Sequence, residues 1–294
     1  MMARQGWNGG RGMEKTDRET MAPILARKHF EAPSVFEPGN LLREARRQKG
    51  LPAASVPEIC LLDPDGDILR RLRAEDHARR SATWPCYHTD LYEFEHAGER
   101  YGIIGCAVGA SFAVLIAEEL FACGCRFLVS VTSAGQILEE TPPPYFVVID
   151  RALRDEGTSY HYLPPAEFAV AEPELIECVM RAFAHTDLPI RQGAVWTTDA
   201  PFRETEAAIA ACRARRILAV EMEAAALYAF AEVRRRSVLC FAHVTNRMAV
   251  SEGDFEKGEA DGVLASLRVI ETAARAWRES AQTERSSRAA ETAE

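Results

Sequence analysis

The sequence predicts an α/β fold with parallel strands, and three observations carry that expectation. Tyr101 to Ser111 reads as a strand and a small-residue turn, followed by a helix over Phe112–Ala122 and a strand over Arg126–Val131. That is a βαβ unit, the building block of a parallel sheet. Ile217-Leu218-Ala219-Val220 is a second short apolar run, and it passes directly into an alanine-rich helical stretch ending near Ala231. The bulk numbers agree with a soluble globular chain: 294 residues, enough for one large α/β domain or two small ones, 47% hydrophobic and 27% charged.

Composition also excludes. A net charge of −9 argues against a nucleic-acid surface, and the local arginine clusters at 70–73 and 234–236 read as solvated faces. Eight cysteines without a secretory signal read as reduced cytoplasmic thiols, and Cys123-Gly124-Cys125 lacks the spacing of a zinc site. The longest apolar stretch, Ile103 to Ala117, is too short for a bilayer. Gly-x-Gly-x-x-Gly is absent, which removes a nicotinamide-binding reading.

Taken in order, residues 1–20 are rich in Gly, Arg and charge without periodicity, and are expected to be disordered. Residues 21–56 form an extension, with a short helix from Leu41 capped by Asn40. The main domain is expected at 57–279. It opens on the buried strand Glu58–Leu62 and the turn Asp63-Pro64-Asp65-Gly66. Trp84 to Glu95 reads as an edge hairpin strand. Val131-Thr132-Ser133-Ala134-Gly135 places hydroxyls and amides after a buried strand, which suits an oxyanion or a simple turn. Phe146–Asp150 is another strand, Glu156 to Ala166 a loop, and Pro173–Ala184 an amphipathic helix. Gln192 to Thr198 leads to Asp199-Ala200-Pro201-Phe202-Arg203-Glu204, where Arg203 and Glu204 either meet a base or cap the next helix. Ser237–Met248 is the last core strand, a long helix runs to about Glu279, and 280–294 is expected to be a disordered tail.

The chemistry gathers where the second apolar run meets its helix, at Val220-Glu221-Met222-Glu223-Ala224-Ala225-Ala226-Leu227-Tyr228. Ligands collect at the carboxyl ends of strands in open α/β sheets. Glu221 and Glu223 are two residues apart, so on a helix they point to nearly opposite sides. One can face a pocket while the other caps or pairs. A carboxylate accepts two hydroxyl hydrogen bonds, as the 2′ and 3′ groups of ribose require. Acids here also answer the helix dipole, so spacing alone leaves site and cap both open.

This segment resembles the Val-Glu-Met-Glu-Ala signature of the nucleoside phosphorylase family, of the purine and uridine phosphorylase type. The resemblance extends over residues 57–279. It implies a three-layer α/β/α domain around a central mixed, mostly parallel sheet, working as a homo-oligomer (a dimer or a trimer of dimers). It implies that Glu223 holds the ribose, with Met222 packed under the sugar, Glu221 beside it, and Gly109 lining the sugar side. Phe202 stands one place late for the family's base-covering aromatic. Ser133 falls on the family's phosphate hydroxyl, Gly135 on its glycine, and Thr132 contributes its backbone. His88 is the cation nearest the place from which relatives send an arginine into a neighbouring subunit. Two phosphate arginines are replaced, by Gly66 and Ser130.

Asn246-Arg247 resembles the Val-Asn-Arg-Thr of uridine phosphorylases, where Arg247 would stabilise a departing pyrimidine. The Gln-x-Arg pair that serves uracil is absent at Thr205-Glu206-Ala207. The implied reaction is phosphorolysis of a nucleoside, uridine or a related pyrimidine, with phosphate as co-substrate and no metal or organic cofactor. A phosphate-independent nucleosidase and a non-catalytic nucleoside-binding protein are the alternatives. Small-molecule partners are expected, with no nucleic acid or membrane.

Overall fold

The structure is a computed structural model that describes residues 22–248 and 252–291, with side chains to 282. The expected disorder of residues 1–20 lies outside the described residues. The extension carries helix α1 (Pro38–Lys49), which starts at a proline rather than at an Asn40 cap. Proline's fixed φ suits a first turn, and Asn40 instead accepts a hydrogen bond from Arg43. Leu42 and Ala45 of α1 are fully buried, so the extension packs on the domain.

The domain proper begins with β1 (Ile59–Asp63), α2 (Asp67–Ala74), β2 (Ala78–Arg80), β3 (Tyr92–His96) and β4 (Glu99–Gly105). The expected strand at 84–91 is irregular instead. Pro85 interrupts it, and Trp84 turns inward to donate its indole N–H to Thr89 at 3.2 Å. Next come α3 (Ala110–Ala122), β5 (Phe127–Gln136), β6 (Tyr145–Asp155), the short helix α4 (Ser159–Tyr162) inside the expected loop, β7 (Phe168–Val170) and α5 (Pro173–Phe183). The last stretch holds β8 (Ile190–Thr198), α6 (Glu206–Ala214), β9 (Ala219–Glu221), α7 (Ala224–Arg234), β10 (Ser237–Asn246) and α8 (Val263–Glu291). Helix α8 continues through Glu291 rather than stopping near 279, because no Gly or Pro follows Gly262 to end it. Among the described residues no helix is long and apolar enough to cross a membrane.

The central layer is a mixed sheet, and part of it closes on itself. A wing in the order β2-β3-β4-β1 leads into β5. Beyond that, β5, β10, β6, β8 and β9 each pair with two of the others and form a ring. The long ladders β5–β10 and β6–β8 are parallel, as are β4–β1 and β1–β5. The short β5–β9 contact is antiparallel, with Gly135 opposite Val220. Gly135 lets the two strands and Met248 pack closely there. A Cβ on it would come within 2.6 Å of Met248 Sδ and 3.3 Å of a Val220 methyl.

Helix α7 is buried from Ala224 through Phe230, consistent with its having no polar stripe. Its alanines allow close approach to α3 and the ring. Tyr228, 1% exposed, donates its hydroxyl hydrogen to Ile149 O at 2.6 Å and accepts from Cys240 N–H at 3.0 Å, tying α7 to β6 and β10. Ile149 lies where the β6–β8 register shifts, so the tyrosine satisfies a carbonyl beside an irregularity in the ladder.

Candidate active site

Strand direction assembles the site. β1, β4 and β5 are parallel, so Asp63, Gly105 and the Thr132–Ser133 stretch reach the same edge of the sheet. β9 runs antiparallel to the end of β5, so the chain leaving Val220 travels back toward Ser133 and Thr132. Glu223 thereby arrives beside Thr132, 91 positions earlier in a chain whose local sequence gives no hint of that contact.

The two acids divide their work. Glu221, 3% exposed, accepts from the backbone N–H of Glu223 at 2.7 Å and of Ala224 at 2.8 Å, and from the Thr197 hydroxyl. It caps α7. Thr197 stands opposite Glu221 in the β8–β9 register and also accepts from Ala225 N–H at 3.0 Å. Glu223, 1% exposed, uses one oxygen to accept from Gly109 N–H at 2.7 Å. Its other oxygen is buried and has no hydrogen-bond partner among the described residues. Gly109 holds φ +92°, which a side chain rarely adopts, and this aims its amide at the acid.

Burial raises the pKa of both acids. Thr197 and the amides of Glu223 and Ala224 draw Glu221 back toward its charged form. The Gly109 amide and the Thr132 hydroxyl do the same for Glu223, and the charge of Glu221 adds to the rise at Glu223. An orphaned buried carboxylate oxygen is costly unless a ligand completes it. Two neighbouring hydroxyls would do so.

The oxyanion end differs from expectation. Ser133 donates its backbone N–H to Asp65 Oδ2 and its hydroxyl to Asp65 Oδ1, both at 2.7 Å. The pair expected to receive phosphate holds a carboxylate of this chain. Asp63, 2% exposed, accepts from Gly66 N–H at 3.1 Å and Leu69 N–H at 2.9 Å, and fixes the turn. Burial, with Asp65 and Asp67 adding to it, pushes Asp63 up to about 7. Asp67 pairs with both Arg70 and Lys257. Opposite Ser133 in the β5–β10 register, His243 is stacked on Phe146 at 4.4 Å. Burial and the charge of Lys257 push it down to about 4, so it is neutral near pH 7. The Ser130 hydroxyl is buried and has no hydrogen-bond partner among the described residues.

The structure therefore brings together Glu221, Met222, Glu223, Gly109, Thr132 and Ser133, with Met222 half-buried in the turn between the acids. It leaves others apart. Phe202 is 99% exposed on a short 3-10 turn, so it covers nothing in this state. Arg247 is exposed at the exit of β10, its backbone N–H donated to Asp254 at 3.0 Å. His88 is exposed, with its charge felt by Glu119 and its backbone N–H donated to Cys86. Gly135 serves strand packing, as described above. Glu204 does not cap α6, since Thr205 accepts from Ala208 N–H there. Sequence reasoning missed Asp65, Thr197, Lys257 and His243. For Asp65 the signal was present, three acids within Asp63–Asp67 where an anion was to be bound.

Comparison with known proteins agrees with this architecture. The phosphorylase superfamily matches residues 58–279. A DeoD-type purine nucleoside phosphorylase of Brevibacillus brevis is 25% identical over 159 residues, covering 53% of this chain and 68% of that protein. One from Myxococcus xanthus is 30% identical over 136 residues, covering 46% of this chain and 57% of that protein. Uridine phosphorylase of Vibrio fischeri shares the fold, with a TM-score of 0.64 at 20% identity over 76% of this chain and 92% of that one. The chain belongs to the phosphorylase superfamily, as an enzyme of the nucleoside phosphorylase type.

Proposed function

We propose that the chain cleaves the N-glycosidic bond of a nucleoside, uridine or a related pyrimidine being favoured, with phosphate to give the free base and ribose 1-phosphate. The observation that carries the nucleoside part is Glu223, a buried carboxylate held at one oxygen by Gly109 and unpartnered at the other. Its acceptor capacity fits the 2′ and 3′ hydroxyls, with Met222 against the sugar. As the bond to the base breaks, positive charge grows on the ribosyl carbon. An anionic acceptor at Thr132 and Ser133, beside Glu223, would meet that charge. The pyrimidine preference rests on the resemblance of Asn246-Arg247 to the uridine phosphorylases. Arg247 itself is exposed at the exit of β10 and would have to turn inward to meet a carbonyl that gains charge on departure. His88 of one subunit serving another's acceptor end would require a homo-oligomer, which light scattering would measure.

A second reading, cleavage by water, has its own support in the Asp65 carboxylate bound to Ser133 and in the residues at Gly66 and Ser130. One experiment covers both. A panel of pyrimidine and purine nucleosides, assayed for base release with and without phosphate, is expected to give release that Glu223→Ala lowers at least a hundredfold. Release that needs phosphate favours the first reading, and equal rates without it favour the second. No cleavage of any member of the panel would sink both.

A further inference from the structure

The most informative feature of the site is what the Ser133 amide and hydroxyl already hold. They act as a two-donor seat for an oxyanion, and both are occupied by Asp65. We propose that Asp65 sets acceptor selectivity: it is an internal anion that competes with inorganic phosphate for Ser133. This rests on the reading of the site as one that passes a ribosyl group to an acceptor beside Glu223.

The geometry favours the internal ligand. Both Asp65 oxygens are used, one by the amide and one by the hydroxyl, a two-point charge-assisted contact. Asp65 is delivered by a turn fixed at both ends, by Asp63 binding Gly66 and Leu69 and by Asp67 binding Arg70 and Lys257. A tethered group competes at an effective concentration on the order of millimolar or more. Phosphate would have to displace it and then face Asp63 and Asp67, while the adjacent cations Arg70 and Lys257 are already engaged by Asp67. Coulomb repulsion and lost hydrogen bonds act in the same direction.

The decisive measurement is direct binding of inorganic phosphate to the full chain, by calorimetry at constant ionic strength and without nucleoside. The wild-type protein is expected to bind weakly. Asp65→Ala vacates the seat and is expected to bind at least tenfold more tightly. Adding Ser133→Ala, which removes the hydroxyl and keeps the amide, is expected to reduce that gain severalfold. Asp65→Asn keeps the side chain's shape and removes its charge, so an intermediate gain is expected even if the alanine variant folds poorly. The proposal is overturned if neither Asp65 variant binds phosphate more tightly than the wild type. It is overturned equally if loss of the Ser133 hydroxyl leaves the gain undiminished. Because no turnover is involved, absence of glycosidic cleavage would count against the proposed activity and leave this result standing.

Discussion

At Glu223 the fold withdraws a carboxylate from water before any ligand arrives. Burial and the nearby charge of Glu221 favour its protonated form, so the folded chain keeps a proton there after an unfolded chain would have released it. The stability this contributes is complete below the ordinary glutamate range and is lost as pH rises through the raised value. Ribose binding calls for the charged, accepting form, so affinity runs the opposite way. Between roughly pH 6 and pH 9, the thermal midpoint is expected to fall while nucleoside affinity rises. Glu223→Gln should flatten the affinity profile and reduce the slope in stability. Asp63, pushed up to about 7, and Glu221, also raised by burial, keep a residual slope in that variant. A wild-type affinity independent of pH would contradict this account.

Helix α7 shows how one element serves both packing and chemistry. Its N-terminus is capped by Glu221 and Thr197, and its middle is tied to the ring through Tyr228. Tyr228→Phe leaves the Cys240 amide and the Ile149 carbonyl unpaired in a buried setting. The expected loss is about 1–3 kcal/mol in denaturant unfolding, with slope unchanged. The element was legible in the sequence because its signal is local: a short apolar run, two acids and an alanine-rich stretch lie side by side. The division between the acids was not legible. It depends on Thr197, 24 positions away, and on Gly109, 114 positions from Glu223. The Asp65–Ser133 contact spans 68 positions and carries no periodic signature. Only the density of acids in the turn pointed to it.

On the scale of the whole molecule, the βαβ unit over β4, α3 and β5 and the run of buried strands were readable from hydrophobic patterning. Closure of the sheet was not, because patterning gives each strand's faces and not its neighbours. That closure has a consequence for how the polypeptide is made. β10 is the last strand of the ring and pairs with both β5 and β6. On a ribosome, a nascent chain that has not yet emerged past Ser237 has no partner to complete the ring, whereas β1, β4 and β5 can already meet. Pairing between segments this far apart in sequence is slow, and incomplete rings leave strand edges open to other chains. A chain arrested before Ser237 is therefore expected to protect the β1–β5 wing from protease and leave β6 and β8 susceptible. Completion of the ring is an event that follows synthesis of β10.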